Sequence, residues 1–247
     1  MTTPFPSASG FDIQGGVDPK ADYHGGAKNR MTREEIWQGI MDVGIVPVIR
    51  ASSPELALAA VGAICAGGIP IVEVSMTVPG AIEVIQALAR TMGDRILLGA
   101  GSVLSAGTAA RCLDAGAHFL VCPGFDPETV KLANCQEIPV MAGALTPTEV
   151  ITAWRAGADF VRIFPCANVG GPSYIRQLKT AMPQIPMVPT GGVSAATAAE
   201  FFEAGASALG IGCELISSAA LKSGSLLEIT RAAMHYASIA RAAREAA

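Results

Sequence analysis

The sequence predicts an α/β protein built as a single (β/α)8 TIM barrel, preceded by an N-terminal helix and a flexible N-terminal tail. Three observations carry that expectation. Eight short apolar runs begin near Ile45, Pro70, Ile96, Phe119, Ile138, Phe160, Pro186 and Ala208, at spacings of 19 to 26 residues. The runs are nearly continuous hydrophobics, as in Ile45-Val46-Pro47-Val48-Ile49, which suits parallel strands buried on both faces. Ala-rich stretches such as Leu56-Ala57-Leu58-Ala59-Ala60-Val61 lie between them, at helix length.

Taken in order, residues 1–30 read as a tail, because Pro4, Pro6, Gly10, Gly15, Gly16, Gly25 and Gly26 interrupt any periodicity. Residues 31–247 form the barrel domain. Thr32 followed by Glu34 and Glu35 is an N-cap with acidic first-turn residues, and Ile36, Trp37 and Ile40 fall at helical spacing behind it. From Ile45 each strand is followed by a turn and a helix. Gly67-Gly68, Gly116-Ala117, Gly157-Ala158 and Gly205-Ala206 then supply helix C-caps before the next strand. Eight such units favour a closed barrel over an open sheet, closing between residues 45 and 215, with helices before and after.

Composition removes several classes of function. The chain has 247 residues, 51% hydrophobic and 15% charged, yet no apolar run reaches the ~18 residues of a membrane helix. A net charge of −4 argues against a nucleic-acid partner. The six cysteines (Cys65, Cys112, Cys122, Cys135, Cys166 and Cys213) form no Cys-x-x-Cys pair and sit in apolar contexts. They read as buried free thiols in a reducing cytoplasm, with Cys166, just after a strand, kept as a candidate reactive thiol. No secretory leader is evident at the N-terminus. His24, His118 and His235 all fall away from strand ends, so no metal site and no cofactor are expected.

In this fold the chemistry gathers at the C-terminal ends of the strands. Two charged residues interrupt the apolar strands there. Glu73 is the one carboxylate within a strand core, and a carboxylate so placed must be paired or take up a proton. It is the candidate general acid/base; the structural alternative is an ion pair with Arg50 or Arg162. Arg162, inside Phe160-Val161-Arg162-Ile163-Phe164-Pro165, and Arg50, ending β-strand one, are candidate fixed cations for a carboxylate or carbonyl oxygen. Thr190-Gly191-Gly192-Val193-Ser194, with a helix expected after it, resembles a phosphate cradle, and Gly210-Ile211-Gly212 completes it after the eighth strand.

These strand ends resemble the KDPG/KHG aldolases, class I aldolases that cleave 2-keto-3-deoxy-6-phosphogluconate or 4-hydroxy-2-oxoglutarate to pyruvate and an aldehyde. The resemblance runs from about Ile45 to Ile216 and rests on seven motifs in order. They are Val46-Pro47-Val48-Ile49-Arg50-Ala51; Gly67-Gly68-Ile69 with Val72-Glu73-Val74; Gly99-Ala100-Gly101-Ser102-Val103; Cys122-Pro123-Gly124; Ala144-Leu145-Thr146-Pro147-Thr148-Glu149; Phe164-Pro165 with Gly170-Gly171; and Pro189-Thr190-Gly191-Gly192-Val193. It implies that Glu73 handles the protons of the pyruvyl carbon. Arg50, Thr77, Ser102, Pro123 and Phe164 would line the substrate site, with Arg50 and Ser102 on its carboxylate and polar groups. Thr190, Gly191, Gly192 and Gly212 would hold a phosphate. It implies a keto acid or sugar-acid phosphate as partner, and a homotrimer. One departure stands out. The family's imine-forming lysine lies two residues before Phe-Pro, and that position is Arg162 here. The lysines of this chain, Lys20, Lys28, Lys131, Lys179 and Lys222, lie on no strand, and Lys222 reads as lying beyond the barrel. Thr77 replaces a substrate-binding arginine of some members, a role the resemblance gives to Arg50 instead. The open readings are an aldolase with impaired imine chemistry, an enolising enzyme that uses Glu73 with Arg162, and an anion-binding or assembly scaffold.

Overall fold

The structure is a computed structural model and describes residues 31–245. The tail expected over 1–30 lies outside the described residues. Helix α1 (Arg33–Val43) opens with a full capping box, in which Thr32 and Glu35 each satisfy the other's backbone N–H. Eight parallel strands follow: β1 (Ile45–Ile49), β2 (Ile71–Ser75), β3 (Leu97–Gly101), β4 (Phe119–Val121), β5 (Val140–Ala144), β6 (Phe160–Ile163), β7 (Met187–Pro189) and β8 (Leu209–Ile211). Several begin one or two residues after their apolar run, because Pro70, Pro139 and Pro186 cannot donate to a ladder.

Each strand pairs with its neighbours in chain order, and β8 returns to β1 through Ile45–Leu209, Val46–Gly210 and Pro47–Ile211. The β7–β8 seam is thinner: Thr190 bridges Gly210, and the Ser207 N–H donates to the Met187 carbonyl at 2.9 Å. Helices α2 (Pro54–Ala66), α3 (Ala81–Met92), α4 (Ala106–Asp114), α5 (Pro127–Cys135), α6 (Pro147–Arg155), α7 (Pro172–Ala181) and α8 (Ala198–Glu203) cover the outside, followed by α9 (Ser218–Ser223) and α10 (Leu226–Glu245). Helix α10 packs on α2, where the Thr230 hydroxyl donates to the Ala63 carbonyl at 3.0 Å and Gly67 leaves room for Ala233.

Strand parity divides the core in two. Val46, Ile71, Leu97, Phe119, Val121, Met141, Phe160 and Val188 fill the barrel interior, and Ile36 and Ile40 of α1 close its N-terminal end. The larger core lies between sheet and helices. The interior filling ends at Ile71, and the next inward positions on β2 are Glu73 and Ser75. The floor is thus apolar and the C-terminal mouth polar, on the end where this fold keeps its chemistry.

Candidate active site at the barrel mouth

Glu73 is 1% exposed and Arg162 4%, on strands β2 and β6 across the barrel. The Arg162 Nη1 donates to Glu73 Oε1 at 3.0 Å and Oε2 at 2.9 Å. A single guanidinium nitrogen thus spans both carboxylate oxygens, and the fork does not engage two-on-two. Arg162 Nε is buried and has no hydrogen-bond partner among the described residues. Its guanidinium carbon lies 5.7 Å from the centre of the Phe164 ring, a cation–π distance. Of the two ion pairs foreseen for Glu73, the structure forms the one with Arg162.

The carboxylate fits there because Gly101 has no side chain. A Cβ on Gly101 would overlap the Glu73 carboxyl group. Gly143, the register neighbour of Arg162, is tied in the same way to Pro123, whose carbonyl occupies the space a Cβ would need. Burial pushes the neighbouring Cys122 thiol up to about 12, a shift that the Arg162 charge opposes only in part.

Beside the pair runs a polar chain that links two of the expected binding residues, Thr77 and Ser102, through Ser75. Ser75, fully buried, lies 2.8 Å from the Thr77 hydroxyl and 3.2 Å from that of Ser102. Ser102 sits at φ 58°, in the left-handed region. A non-glycine residue held there, directly after β3, orients its hydroxyl at the mouth at some cost in backbone strain. Ser75 was absent from the expected site residues. Its signal was the period-2 spacing from Glu73.

A cavity of about 100 Å³ brings Arg162 and Phe164 together with Arg50, Thr190, Gly191, Gly192 and Gly212. Gly191 and Gly192 take φ 87° and 76°, which turns the backbone across the end of β7. Cys213, at the end of the eighth strand, also lines this cavity, together with Glu214, which was not foreseen. The helix expected after residues 190–194 begins at Ala198. The Thr197 hydroxyl accepts from the Ser194 N–H at 3.1 Å, and this local bond holds the intervening residues in a turn. The glycine turn expected to cradle a phosphate is therefore strand-end backbone, with no long helix directly behind it. Thr77 lies apart from this cavity. It lines a second recess of about 340 Å³ with Arg50 and Lys222. Lys222, read from sequence as beyond the barrel, is returned to the rim by α9.

The other two lysines among the described residues stay outside. Lys131 is exposed on α5, and Lys179 on α7 donates to the Pro183 and Ile185 carbonyls at 2.7 and 3.0 Å. Cys166 is fully buried, with its thiol pushed up to about 12 by burial, which removes it as a reactive thiol. Cys135 and Cys213 are exposed, against the expectation of six buried thiols: one ends α5 and the other follows β8, where the core no longer covers them. Among the described residues no group of three or more His, Cys, Asp or Glu side chains converges to hold a metal, and no helix is long and apolar enough to cross a membrane.

Comparison with known proteins supplies a family. The family model described as KDPG and KHG aldolase matches residues 36–232. The 2-dehydro-3-deoxy-6-phosphogalactonate aldolase of Escherichia coli (strain K12) is 32% identical over 211 residues, covering 85% of this chain and 98% of that one. The 2-dehydro-3-deoxy-phosphogluconate aldolase of Treponema pallidum (strain Nichols) is 32% identical over 166 residues, covering 67% and 79%. Among solved structures, a KDPG aldolase from Legionella pneumophila, with pyruvate captured as a covalent carbinolamine, superposes with a TM-score of 0.75 at 28% identity. The match covers 81% of this chain and 96% of that one.

Proposed function

The chain belongs to the KDPG and KHG aldolase family, a family of class I aldolases, and from that premise we propose that its barrel mouth binds the pyruvyl end of a 2-keto-4-hydroxy acid between Glu73 and Arg162. The substrate is 2-keto-3-deoxy-6-phosphogluconate, a close sugar-acid phosphate, or 4-hydroxy-2-oxoglutarate. Cleavage breaks the C3–C4 bond. The C4 hydroxyl loses its proton as the aldehyde leaves, the bonding pair passes to C3 as an enolate, and protonation at C3 gives pyruvate. Glu73 carries protons at the pyruvyl carbon. Arg50, Thr77 and Ser102 hold the carboxylate and polar groups, Pro123 and Phe164 shape the walls, and Thr190, Gly191, Gly192 and Gly212 cradle the phosphate.

The observation that carries this reading is the buried Glu73–Arg162 pair in the strand-end pocket, with Arg162 Nε unpartnered among the described residues. A guanidinium stays protonated and forms no imine with a ketone, so the imine route is impaired in this chain. The orphaned N–H favours a second route, in which Arg162 stabilises the enolate oxygen electrostatically. The protein acts in the cytoplasm as a homotrimer.

Borohydride treatment with pyruvate, followed by mass spectrometry, tests the assignment. The chain should trap no adduct, and Arg162→Lys should trap one and gain retro-aldol cleavage. An adduct on the unaltered chain would contradict the account. So would an Arg162→Lys protein that folds yet neither traps nor cleaves, which would favour a binding or assembly scaffold. Exchange of the pyruvate C3 protons by the unaltered chain, followed by NMR, would support the enolate route.

A further inference from the structure

The rim holds a basic recess that the glycine cradle does not use. Helix α9 places Lys222 and Ser218 opposite Arg50, Ser52 and Thr77 around a space of about 340 Å³. Its wall carries two cations and three hydroxyls, with no carboxylate. Among the described residues, the side chains of Arg50 and Lys222 make no ion pair, in contrast to Arg162, which is held by Glu73. Two unneutralised cations around one recess repel each other, and an anion between them removes that repulsion. Arg50 also lines the smaller cavity with Arg162 and Gly212, so the two spaces meet at one guanidinium.

We propose that the Lys222 recess is a second anion subsite, separate from the glycine cradle, that takes the distal carboxylate of a 2-keto dicarboxylate. The inference rests on the placement of the pyruvyl end between Glu73 and Arg162. With the keto group there, Arg50 stands at the junction. A phosphate end turns toward Gly191, Gly192 and Gly212, and a carboxylate end turns toward Lys222. Lysine suits this duty: a compact ammonium on a flexible stem reaches a single carboxylate, whereas the backbone cradle suits the three oxygens of a phosphate. Lys222 is then a specificity-determining residue that touches no reacting atom.

Calorimetric titration of the full chain with 2-oxoglutarate, pyruvate and inorganic phosphate tests it. Lys222→Gln should weaken 2-oxoglutarate about twofold to fivefold, as expected for one solvent-accessible charged contact. Pyruvate and phosphate affinities should stay unchanged, and Lys222→Arg should keep the parent affinity. The difference between parent and Lys222→Gln should shrink with added salt. An unchanged 2-oxoglutarate affinity in Lys222→Gln, or an equal loss for all three ligands, overturns the subsite. A competition arm separates this from failure of the pyruvyl placement. If pyruvate displaces 2-oxoglutarate but Lys222 has no effect, the subsite alone fails. If Lys222 matters but pyruvate does not compete, the placement at Glu73 fails while the anion site stands.

Discussion

Taking Glu73 and Arg162 out of water costs several kcal/mol per ion, and their contacts at 2.9 and 3.0 Å offset that cost only while both partners remain. The pair is thus held in place by its own burial and is suited to positioning charge, with little net stability to offer. Gly101 makes room for it. In the Arg162→Lys background, Gly101→Ala should displace the Glu73 carboxyl and lower cleavage by about 10²-fold. Overpacking should cost ~1–3 kcal/mol in a thermal melt. A folded double variant with undiminished cleavage would show that Glu73 need not sit where it does. The cradle admits a cleaner test at Gly212 than at Gly192. A Cβ on Gly192 would meet Ala167, and its φ of 76° strains any L residue, whereas Gly212 has open space around it. Gly212→Asp should abolish binding of phosphorylated ligands and leave the fold intact, and equal phosphate affinity in that variant would refute the cradle. Glu73 and Arg162 were legible from sequence because a charge in an apolar strand has no cheap explanation. The parts played by Ser75 and Gly101 were not: strand parity puts Ser75 on the face of Glu73, but only the structure sets it between two hydroxyls and sets Gly101 against a carboxylate.

At the scale of elements, the helix start at Thr32 was legible in sequence, and the structure adds a second of the same kind at Thr146. Thr32 with Glu35 and Thr146 with Glu149 both form full capping boxes. The Glu149 carboxylate accepts the Leu145 and Thr146 N–H groups at 2.8 and 2.7 Å, and these backbone bonds hold its titration below the ordinary glutamate range. The sign follows: a depressed carboxylate contributes stability that is present above its unfolded value of ~4.3 and is lost as pH falls through the folded one. Acid denaturation should therefore be shallower in Glu149→Gln than in the parent, with chemical melts in mildly acid buffers as the measurement. Identical acid dependence would show that the box contributes nothing beyond its neutral hydrogen bonds. The stretch between the glycines and α8 was not legible, because the Ser194 and Thr197 hydroxyls satisfy a local turn before the helix begins at Ala198. Lys222 was misjudged for a related reason: spacing along the chain does not show that a short helix after β8 folds back over the rim.

At the scale of the whole molecule, the eight-unit rhythm was sufficient for the barrel, since each unit repeats the same alternation of buried strand and covering helix. The thin β7–β8 seam was not visible in that rhythm, because closure depends on register: the Thr190–Gly210 bridge and the Ser207–Met187 hydrogen bond join the two, beside the glycine-lined cavity. The central claim, that the mouth between β2 and β6 receives the pyruvyl group, is tested most directly by a crystal structure of the unaltered chain soaked with pyruvate. The account predicts pyruvate bound without a covalent bond, with an oxygen within ~3.2 Å of an Arg162 nitrogen and its methyl carbon facing Glu73. Pyruvate covalently attached to a lysine, or bound away from Glu73 and Arg162, would contradict it.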